Sequence, residues 1–369
     1  MPDMLSLPST PDFAIVGGGI VGACLAEELS RQGASVLVLD AGAEPGHATH
    51  RAAGVAVPSL RYLDDHEFYS WLRGAKLDLD ADVARLEPEF GTFSVVRPIL
   101  RALREQDIET YGHLLAEAGA GARVTGDDLA TVATGLKLPP SRHYLHAEGG
   151  LMIDGRRYLD AVLGRCREQG VTWQQGRRVR EVREDGHRVM IRTDQETLHA
   201  DRVVIAAGAW SSGTGLAEST GIRPQRGQMV VLRTDEKLSS ILSSAYYLAP
   251  GVGDDILVGA TEEDAGFADH VTAQGIGALL RFATTAMPGL AASVPLELRA
   301  GLRPVSDTGR PLAGALPGHD RIFISAGHAG HGLLSARTTA KGMAAGLLGD
   351  DWDALPYRMC PTHAQGGTA

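Results

Sequence analysis

Four residues near the start of the chain have the types and spacing needed to bind the phosphates and ribose of a dinucleotide. Gly17, Gly19 and Gly22 follow the order G-x-G-x-x-G, and Asp40 lies 18 residues beyond the last of them. The first glycine permits a tight turn, the second lets backbone approach a pyrophosphate, and the third lets helix and strand pack closely. An acid about 20 residues further on binds ribose hydroxyls. These residues predict dinucleotide binding.

The elements around the glycines decide how specific the motif is, because it needs a strand before it and a helix and strand after it. Residues 13–16 form an apolar run typical of a buried strand, and a helical pattern then continues to Gln32, before Gly33. Residues 35–39 form a second apolar run. All the required parts are present, so we favour a dinucleotide site over a glycine-rich turn without a ligand, with the helix N-terminus facing the pyrophosphate.

A second segment of the same kind lies near the other end of the chain. An apolar run at 322–325 is followed by the turn 327–332, with the sequence GHAGHG, and by a helical pattern at 333–348. Helix N-termini attract anionic groups. Two such segments predict a ligand that is held at both ends.

Composition limits the class of protein. The chain has 369 residues, 44% hydrophobic and 22% charged, which indicates a globular protein with two domains. A net charge of −10 disfavours nucleic acid or an anionic membrane surface as a partner. The three scattered cysteines have neither disulfide nor metal spacing, which favours a reducing cytosol. We find no signal-peptide pattern and no apolar run long enough to span a membrane, and predict a cytoplasmic protein.

Other patterns predict the elements between these two segments. A helix is expected at 71–86, ended by Glu87-Pro88, and another at 106–118, ended by glycines. A Gly-Gly turn is expected within 145–155, and alternating strands at 177–199. The small residues at 48–55 suit a backbone lying against a flat ligand, but an ordinary loop explains them as well.

Motifs spread through nearly the whole chain resemble the D-amino-acid oxidase superfamily of FAD-dependent oxidoreductases, most closely the glycine oxidase branch. They are AIVGGGIVGACLAEELSRQGASVLVLD, ATHRAAGVAVP, HAEGGLMIDGRRYLDAVL, VVIAAGAWS, PQRGQMV, YYLAP, ILVGATEEDAGF, AGLRPVSDTGRPLAG and AGHAGHGLL. The resemblance implies a mixed α/β fold, in which an FAD-binding Rossmann-like domain is interleaved with an antiparallel-sheet substrate domain. We predict the first at 12–86, 145–222 and 304–350, and the second at 87–144 and 223–303.

By the same resemblance, one set of residues is expected to contact FAD from the adenosine to the flavin. The set is Gly17, Gly19, Ile20, Gly22, Asp40 (where the family usually has Glu), Thr49, His50, Arg51, Ala53, Gly54, Val55, Val179, Ala207, Gly208, Trp210, Arg303, Gly330, Gly332 and Leu333. The last three present amides and a helix dipole to the N1–O2 edge of the flavin, where negative charge gathers on reduction.

The resemblance also implies a substrate site. Arg303 would hold a substrate carboxylate with two parallel hydrogen bonds, Tyr247 would offer its hydroxyl, and His328 and His331 would line the site. Each residue type has a plainer explanation: a surface arginine, a packing tyrosine, structural histidines. A metal site is not expected, because no third ligand accompanies the two histidines.

The implied activity is FAD-dependent oxidation of a small amino acid or secondary-amine acid, with glycine the leading candidate. Hydride passes from the α-carbon to flavin N5, and O2 reoxidises the flavin with release of hydrogen peroxide. The alternative is the flavin subunit of a dehydrogenase that passes electrons to a partner or quinone. A homo-oligomer and a partner subunit both stay open. The sequence departs from the family at Arg299, where an aromatic is frequent, and at Gly330 and His331, which replace Arg and Asn of the glycine oxidase pattern G-H-x-R-N-G.

Overall fold

The computed structural model describes residues 10–42, 47–103, 105, 108, 122–126, 128–139, 141–216 and 221–361. The helix predicted at 106–118 lies outside this part of the chain, residue 108 excepted. The helices are α1 Ile20–Arg31, α2 Ala48–Arg51, α3 His66–Phe90, α4 Asp128–Val132, α5 Gly155–Glu168, α6 Ala273–Ala286 and α7 Gly332–Gly349. Short 3-10 helices lie at Leu60–Tyr62, Gly208–Thr214, Pro288–Ala292, Ala329–His331 and Tyr357–Met359.

The strands are β1 Phe13–Val16, β2 Val36–Asp40, β3 Val55–Ala56, β4 Ser94–Leu103, β5 Ala122–Val124, β6 His143–Ile153, β7 Thr172–Gln175, β8 Val179–Asp185, β9 Arg188–Thr193, β10 Thr197–Ala200, β11 Arg202–Ile205, β12 Ile222–Arg233, β13 Ile241–Ser243, β14 Tyr247–Pro250, β15 Asp255–Gly259, β16 Val294–Ser306, β17 Leu312–Ala315 and β18 Ile322–Ala326. Both predicted strand, glycine turn and helix segments are confirmed, as β1–α1–β2 and β18–α7.

One sheet has the order β17-β18-β11-β1-β2-β7 among the described strands, and all its neighbours are parallel except β17 and β18. Its strands are buried on both faces. Ile15 and Val38 pack with the helices, whereas Ala14 and Leu37 pack toward the small antiparallel sheet β10-β9-β8. Burial on both faces explains why β1, β2, β11 and β18 are continuous apolar runs rather than alternating ones.

The larger sheet has the order β16-β12-β15-β14-β13-β4-β6-β3 in the part of the chain that is described, with β5 beside β6. Its pairs are antiparallel except for β13 with β4. The predicted fold class is therefore confirmed. The residue-by-residue division into domains stays a prediction, although β6 crosses the predicted boundary at 145 and hydrogen-bonds into the larger sheet.

The predicted end of the third helix at Glu87-Pro88 is wrong. Helix α3 continues past Pro88 and ends at Phe90, and the next residue, Gly91, has a φ of 81°, which suits glycine. Proline lacks the amide donor of one helical hydrogen bond. Because Pro88 lies in the last turn, the helix loses only that bond before it ends. Just beyond the helix, Glu87 Oε1 accepts a hydrogen bond from the Phe93 amide (2.9 Å).

The predicted Gly-Gly turn is also wrong, because Gly149 and Gly150 lie inside β6. The register between β4 and β6 shifts between Arg97 and Ile99, and Gly149 has a φ of 76°. A Cβ on Gly150 would lie 2.6 Å from the Arg97 carbonyl oxygen. The pair therefore permits a β-bulge and a close backbone approach, which glycines inside strands frequently mark.

A buried cluster of charges joins helices α1, α3, α5 and α7. The Arg337 side chain on α7 is 5% exposed and contacts Glu27, and its Nε donates to Asp82 Oδ2 (3.0 Å). The Tyr158 hydroxyl donates to the same carboxylate oxygen (2.6 Å), and Arg85 contacts both acids. Burial alone would raise the pKa of Asp82, but the Arg337 charge and the hydrogen bonds from Tyr158 and Arg85 hold it below its usual value.

We predict that Arg337→Met lowers the free energy of unfolding by about 3–5 kcal/mol, since it leaves two buried carboxylates short of a partner. Urea denaturation measures the change. Lys237→Met is the matched control, because Lys237 and its partner Asp254 are 77% and 93% exposed, and it should cost less than about 1 kcal/mol.

The stability difference between wild type and Arg337→Met should also depend on pH. The depressed pKa of Asp82 stabilises the fold above the unfolded-state pKa, near 4, and that stabilisation is lost as pH falls through the lower folded-state pKa. The difference should therefore narrow below about pH 4. A difference that is equal at pH 7 and at the lowest pH where both variants fold would show that Asp82 ionisation is not involved.

Candidate active site

A cavity of about 610 Å³ lies where the parallel sheet and the larger sheet meet. The β1–α1 turn, α2, the β18–α7 turn and strands β12 and β16 contribute to its walls. Its volume is within the range of small-molecule and cofactor sites.

The β1–α1 turn depends on the absence of side chains. Gly17 has a φ of 111°, and a Cβ there would lie 2.4 Å from the Ala206 carbonyl oxygen. A Cβ on Gly22 would lie 2.0 Å from the Gly17 carbonyl oxygen, so Gly22 shapes the turn without lining the cavity. The first amide of α1, on Ile20, donates to Thr49 Oγ1 on α2 (3.2 Å). The turn therefore presents backbone rather than side chains to the cavity.

Asp40 lies at the end of β2 and lines the cavity. Its Oδ2 accepts a hydrogen bond from the Gly18 amide (2.6 Å), and its Oδ1 accepts one from the Gly42 amide (2.8 Å). The carboxylate thus ties the glycine turn to the end of the neighbouring strand. Its expected contact with ribose stays a prediction.

The N-terminus of α7 forms the opposite wall. Gly330, Gly332 and Leu333 line the cavity there, and the side chain of the N-cap residue, His331, makes no capping hydrogen bond with the described residues. A helix of 18 residues with uncapped N-terminal amides is a favourable place for negative charge. This wall therefore has the electrostatics that a reduced flavin needs.

His328 is buried beside that wall in a defined tautomer. The Ser335 hydroxyl donates to the His331 carbonyl oxygen (2.9 Å), so it accepts from His328 Nδ1 (2.9 Å). Nε2 is then an acceptor, and it is buried with no hydrogen-bond partner among the described residues. Burial, and then the neighbouring His331, lowers the pKa of His328 to about 3. The ring is neutral and offers a lone pair.

Three predicted site residues do not line the cavity: Gly22, His50 and His331. His50 stacks on His47, with ring centres 4.8 Å apart. His331 is half-buried and contacts the Tyr62 ring, and burial and the charges of Arg61 and Arg101 lower its pKa to about 4. The other predicted residues line the cavity; they are Gly17, Gly19, Ile20, Asp40, Thr49, Arg51, Ala53, Gly54, Val55, Val179, Ala207, Gly208, Trp210, Tyr247, Arg303, His328, Gly330, Gly332 and Leu333.

Three glycines lie on one face of the larger sheet, and we call them the glycine floor: Gly227 and Gly301 line the cavity, and Gly259 pairs with the cavity-lining Tyr247. A Cβ on Gly227 would lie 2.4 Å from Arg303 Nη1, and one on Gly259 would lie 2.3 Å from the Tyr247 hydroxyl. A Cβ on Gly301 would lie 2.8 Å from Arg51 Cβ. Each missing side chain leaves the space in which a polar side chain lies flat across the sheet.

Two of these three polar side chains, Arg303 and Tyr247, have few or no polar partners among the described residues. Arg303 Nη1 donates to the Thr261 carbonyl oxygen (2.9 Å), and none of the described acids forms an ion pair with Arg303. The Tyr247 hydroxyl is buried without a hydrogen-bond partner in the described structure. Burial raises its pKa to about 12, although the Arg303 and Arg299 charges oppose the rise. The phenol stays protonated and can donate.

The sequence analysis assigned no role to the glycines of the floor. The sequence did contain a signal for them, namely glycines inside predicted strands. Such glycines frequently mark a place where a ligand or another backbone approaches the strand closely. It also missed Met229, which lies between Gly259 and Arg299 in the strand register, and Phe267, whose ring lies 5.9 Å from that of Trp210. Both residues line the cavity.

Two further findings concern metals and membranes. In the described part of the chain, no group of three or more His, Cys, Asp or Glu residues is arranged to hold a metal ion. None of the described helices is both long and apolar enough to cross a membrane.

Comparison with known proteins agrees with these features. A family model described as FAD dependent oxidoreductase matches residues 12–345. Glycine oxidase of Pseudomonas putida (strain KT2440) is 27% identical over 352 residues, covering 87% of this chain and 90% of its own. Two solved structures are similar to this one. Glycine oxidase from Bacillus cereus has a TM-score of 0.83 and 22% identity, and the match covers 94% of this chain and 98% of its own. Iminodiacetate oxidase from Chelativorans sp. BNC1 has a TM-score of 0.81 and 25% identity, and the match covers 91% of this chain and 95% of its own.

Two features of the cavity in this chain fit FAD, the cofactor of that family. A glycine turn at a helix N-terminus suits a pyrophosphate, and the uncapped N-terminus of α7 suits the electron-accepting end of a flavin. The family model spans most of the chain, so the predicted resemblance is confirmed. This chain belongs to the family of FAD-dependent oxidoreductases that includes glycine oxidase and the D-amino-acid oxidases, and its cofactor is FAD.

Proposed function

We propose that the protein oxidises a small α-amino acid or secondary-amine acid, with glycine as the first substrate to assay. The observation that carries the proposal is the Arg303 guanidinium, which lies on the cavity floor without an acid partner among the described residues. A planar guanidinium binds a carboxylate with two parallel hydrogen bonds. The buried Tyr247 hydroxyl beside it offers a donor that has no hydrogen-bond partner in the described part of the chain.

The residues of the floor position the substrate rather than remove a proton from it. Tyr247, with a pKa of about 12, stays protonated at neutral pH, and His328, with a pKa of about 3, is a very weak base. A general base works best when its pKa is near the working pH. We infer that the amine binds in its neutral form and that Arg303 orients the α-carbon. The second histidine of the turn, His331, contacts the Tyr62 ring and does not line the cavity, so we assign it no role toward the substrate.

When bound, FAD supplies the two-electron acceptor for the α-carbon hydride and the reductant from which O2 forms hydrogen peroxide. The α7 amides at Gly332 and Leu333 stabilise negative charge at that end of the cavity. We also propose that the other residues predicted to contact FAD do so, among them Gly17, Asp40, Val179 and Trp210. The imino acid that leaves the site is hydrolysed by water.

The names of the relatives support an oxidase acting on amines. The P. putida relative is called glycine oxidase, and the Chelativorans neighbour is called iminodiacetate oxidase. One observation favours the second candidate, an amino-acid dehydrogenase that passes electrons to a protein partner or quinone: Gly330 and His331 replace the Arg and Asn that glycine oxidases often carry in the last turn.

Anaerobic and aerobic assays of the purified holoprotein test the function and separate the two candidates. An α-amino acid should bleach the flavin absorbance without oxygen, and in air each amine oxidised should release one hydrogen peroxide. Rapid reduction of a dye with negligible peroxide would favour the dehydrogenase. If no carboxylated amine bleaches the flavin, both candidates fail.

Substitution of Arg303 should weaken substrate binding without loss of cofactor. Arg303→Lys keeps the charge but loses the two-pronged geometry, and Arg303→Ala loses both. Loss of a buried charge-assisted pair costs ~2–5 kcal/mol. The value of kcat/KM should therefore fall roughly thirty-fold to a few thousand-fold in Arg303→Ala.

Steady-state turnover and flavin absorbance of wild type and both variants provide the measurement. Arg183→Ala, at an exposed position on the small sheet, is the control and should leave turnover unchanged. If Arg303→Ala keeps wild-type kcat/KM, the carboxylate is held elsewhere. If it loses FAD instead, Arg303 supports the cofactor.

Gly227→Ala should displace the Arg303 guanidinium, because the new Cβ would lie 2.4 Å from its Nη1. The end of a long side chain moves easily, so the fold should keep its stability while kcat/KM falls about 10- to 100-fold through misplacement of the substrate. Gly74→Ala is the control, since a Cβ at that helical position meets nothing within 4 Å. Equal kinetics of the two variants would refute the role of the glycine floor.

A further inference from the structure

A backbone carbonyl group holds the Arg303 guanidinium in place. Arg303 Nη1 donates its one hydrogen bond among the described residues to the Thr261 carbonyl oxygen (2.9 Å). Thr261 lies just beyond the end of β15, in the segment 260–272 that leads to α6. Two other residues of this segment, Ala260 and Phe267, line the cavity. The position of the segment therefore affects both the guanidinium that we assign to the substrate and part of the cavity wall.

Glu263 fixes this segment against strand β12. Its amide donates to the Arg226 carbonyl oxygen, and its own carbonyl oxygen accepts from the Arg226 amide (both 2.9 Å). Its side chain turns back along the segment, where Oε1 accepts from the Thr261 hydroxyl (2.5 Å). That hydroxyl in turn accepts from the Gln228 amide (2.9 Å). Both ends of the segment 261–263 are fixed in this way, and the carbonyl group that holds Arg303 lies between them.

Two buried side chains of β12 complete the environment of the Glu263 carboxylate. Gln228 Nε2 donates to Oε1 (2.6 Å), and Arg226 Nη2 lies 2.5 Å from Oε2. The Arg226 side chain is buried, and no other described acid pairs with it. Burial alone would raise the pKa of Glu263, but hydrogen bonds from Thr261 and from these two residues hold it below its usual value. The carboxylate is therefore ionised at neutral pH and accepts charge-assisted hydrogen bonds.

We propose that Glu263 is a positioning residue for the substrate: it holds the Thr261 carbonyl group where that group orients the Arg303 guanidinium toward a substrate carboxylate. Glu263 does not line the cavity, so it acts through these two neighbours and does not touch the substrate. An arginine side chain has several rotatable bonds, and without a fixed acceptor its guanidinium takes other orientations. The proposal rests on the function given above, because it concerns the same carboxylate site.

Substitutions of Thr261 test the link between Glu263 and Arg303 without removing a charge. Thr261→Val keeps the shape of the side chain but loses its hydroxyl, whereas Thr261→Ser keeps the hydroxyl. Acetate has a carboxylate but no amine to oxidise, and its binding should perturb the flavin spectrum of the holoprotein. Its Kd should rise about 10-fold in Thr261→Val, because the guanidinium is misplaced, and should stay near the wild-type value in Thr261→Ser.

Two neighbouring acids provide a matched pair of variants. Glu263→Gln removes the charge that Arg226 and Thr261 contact, and it should weaken acetate binding about 10-fold. Glu262→Gln removes the same charge one residue away, from a side chain that is 49% exposed and lies 3.3 Å from the exposed Arg61. It should leave acetate binding unchanged. The KM for any amino acid that the enzyme oxidises should rise in Glu263→Gln and not in Glu262→Gln.

Combination with Arg303→Ala shows whether the effect passes through Arg303. Adding Thr261→Val to Arg303→Ala should weaken acetate binding no further, because no guanidinium is left to orient. Equal weakening in both backgrounds, or wild-type acetate binding in Thr261→Val and Glu263→Gln, overturns the proposal.

Two other results would also overturn it. One is a wild type that does not bind acetate, and the other is loss of FAD from both Thr261→Val and Glu263→Gln, which would show that the network supports the fold. If no amine is oxidised but acetate binding depends on Thr261 and Arg303 as described, the proposed function fails while the positioning role of Glu263 stands.

Discussion

Close approach of backbone and side chains through positions that lack a Cβ atom is the constraint on which this site depends. At Gly17 and Gly22 the glycine turn packs against Ala206 and against itself at distances no side chain allows. On the floor, Gly227 and Gly259 leave the space in which Arg303 and Tyr247 lie flat. The first pair of glycines shapes one wall of the cavity, and the second pair leaves room for the two polar side chains that we assign to the substrate.

Buried charge is handled in two opposite ways in this chain. In the helical layer, Glu27 and Asp82 are matched by Arg337 and Arg85 and by the Tyr158 hydroxyl, so the cluster is satisfied within the protein. On the glycine floor, Arg303 forms no ion pair with a described acid. A satisfied cluster stabilises the fold, whereas an unpaired buried cation favours a ligand that completes it. This contrast separates the structural arginines from Arg303, which we assign to the substrate.

The polar groups around the reacting space do not titrate near neutral pH. Burial holds His328 neutral and Tyr247 protonated, so one offers an acceptor and the other a donor across the physiological range. Such groups position a substrate with little dependence on pH. The uncapped N-terminus of α7 adds a fixed dipole at the far wall, whose sign suits an electron acceptor that becomes negative.

Local features of the sequence determined the elements that bind the cofactor. These elements depend on residues close together in the chain: the apolar runs of β1, β2 and β18, the glycine spacing and the helical patterns. Hydrophobic period and turn residues were therefore sufficient to predict them. The error at Gly149 has the same origin as the missed glycine floor, because in both a glycine meets a strand distant in sequence: the larger sheet pairs β12 with β16, some 70 residues apart, and β4 with β6 across a long connection. The error at Pro88 is local, because a proline in the last turn of a helix removes only one hydrogen bond.

Only the tertiary structure decided which polar groups lack partners. Arg303 and Tyr247 are ordinary residues in the sequence, and the role that we propose for them depends on strand register, which sets the face on which each side chain lies. Register follows from the pairing of whole strands, and a shift of one residue would turn each of these side chains to the other face. The sequence by itself therefore determined the family, the cofactor and the fold class, whereas the arrangement of charge around the substrate was decided by the sheet.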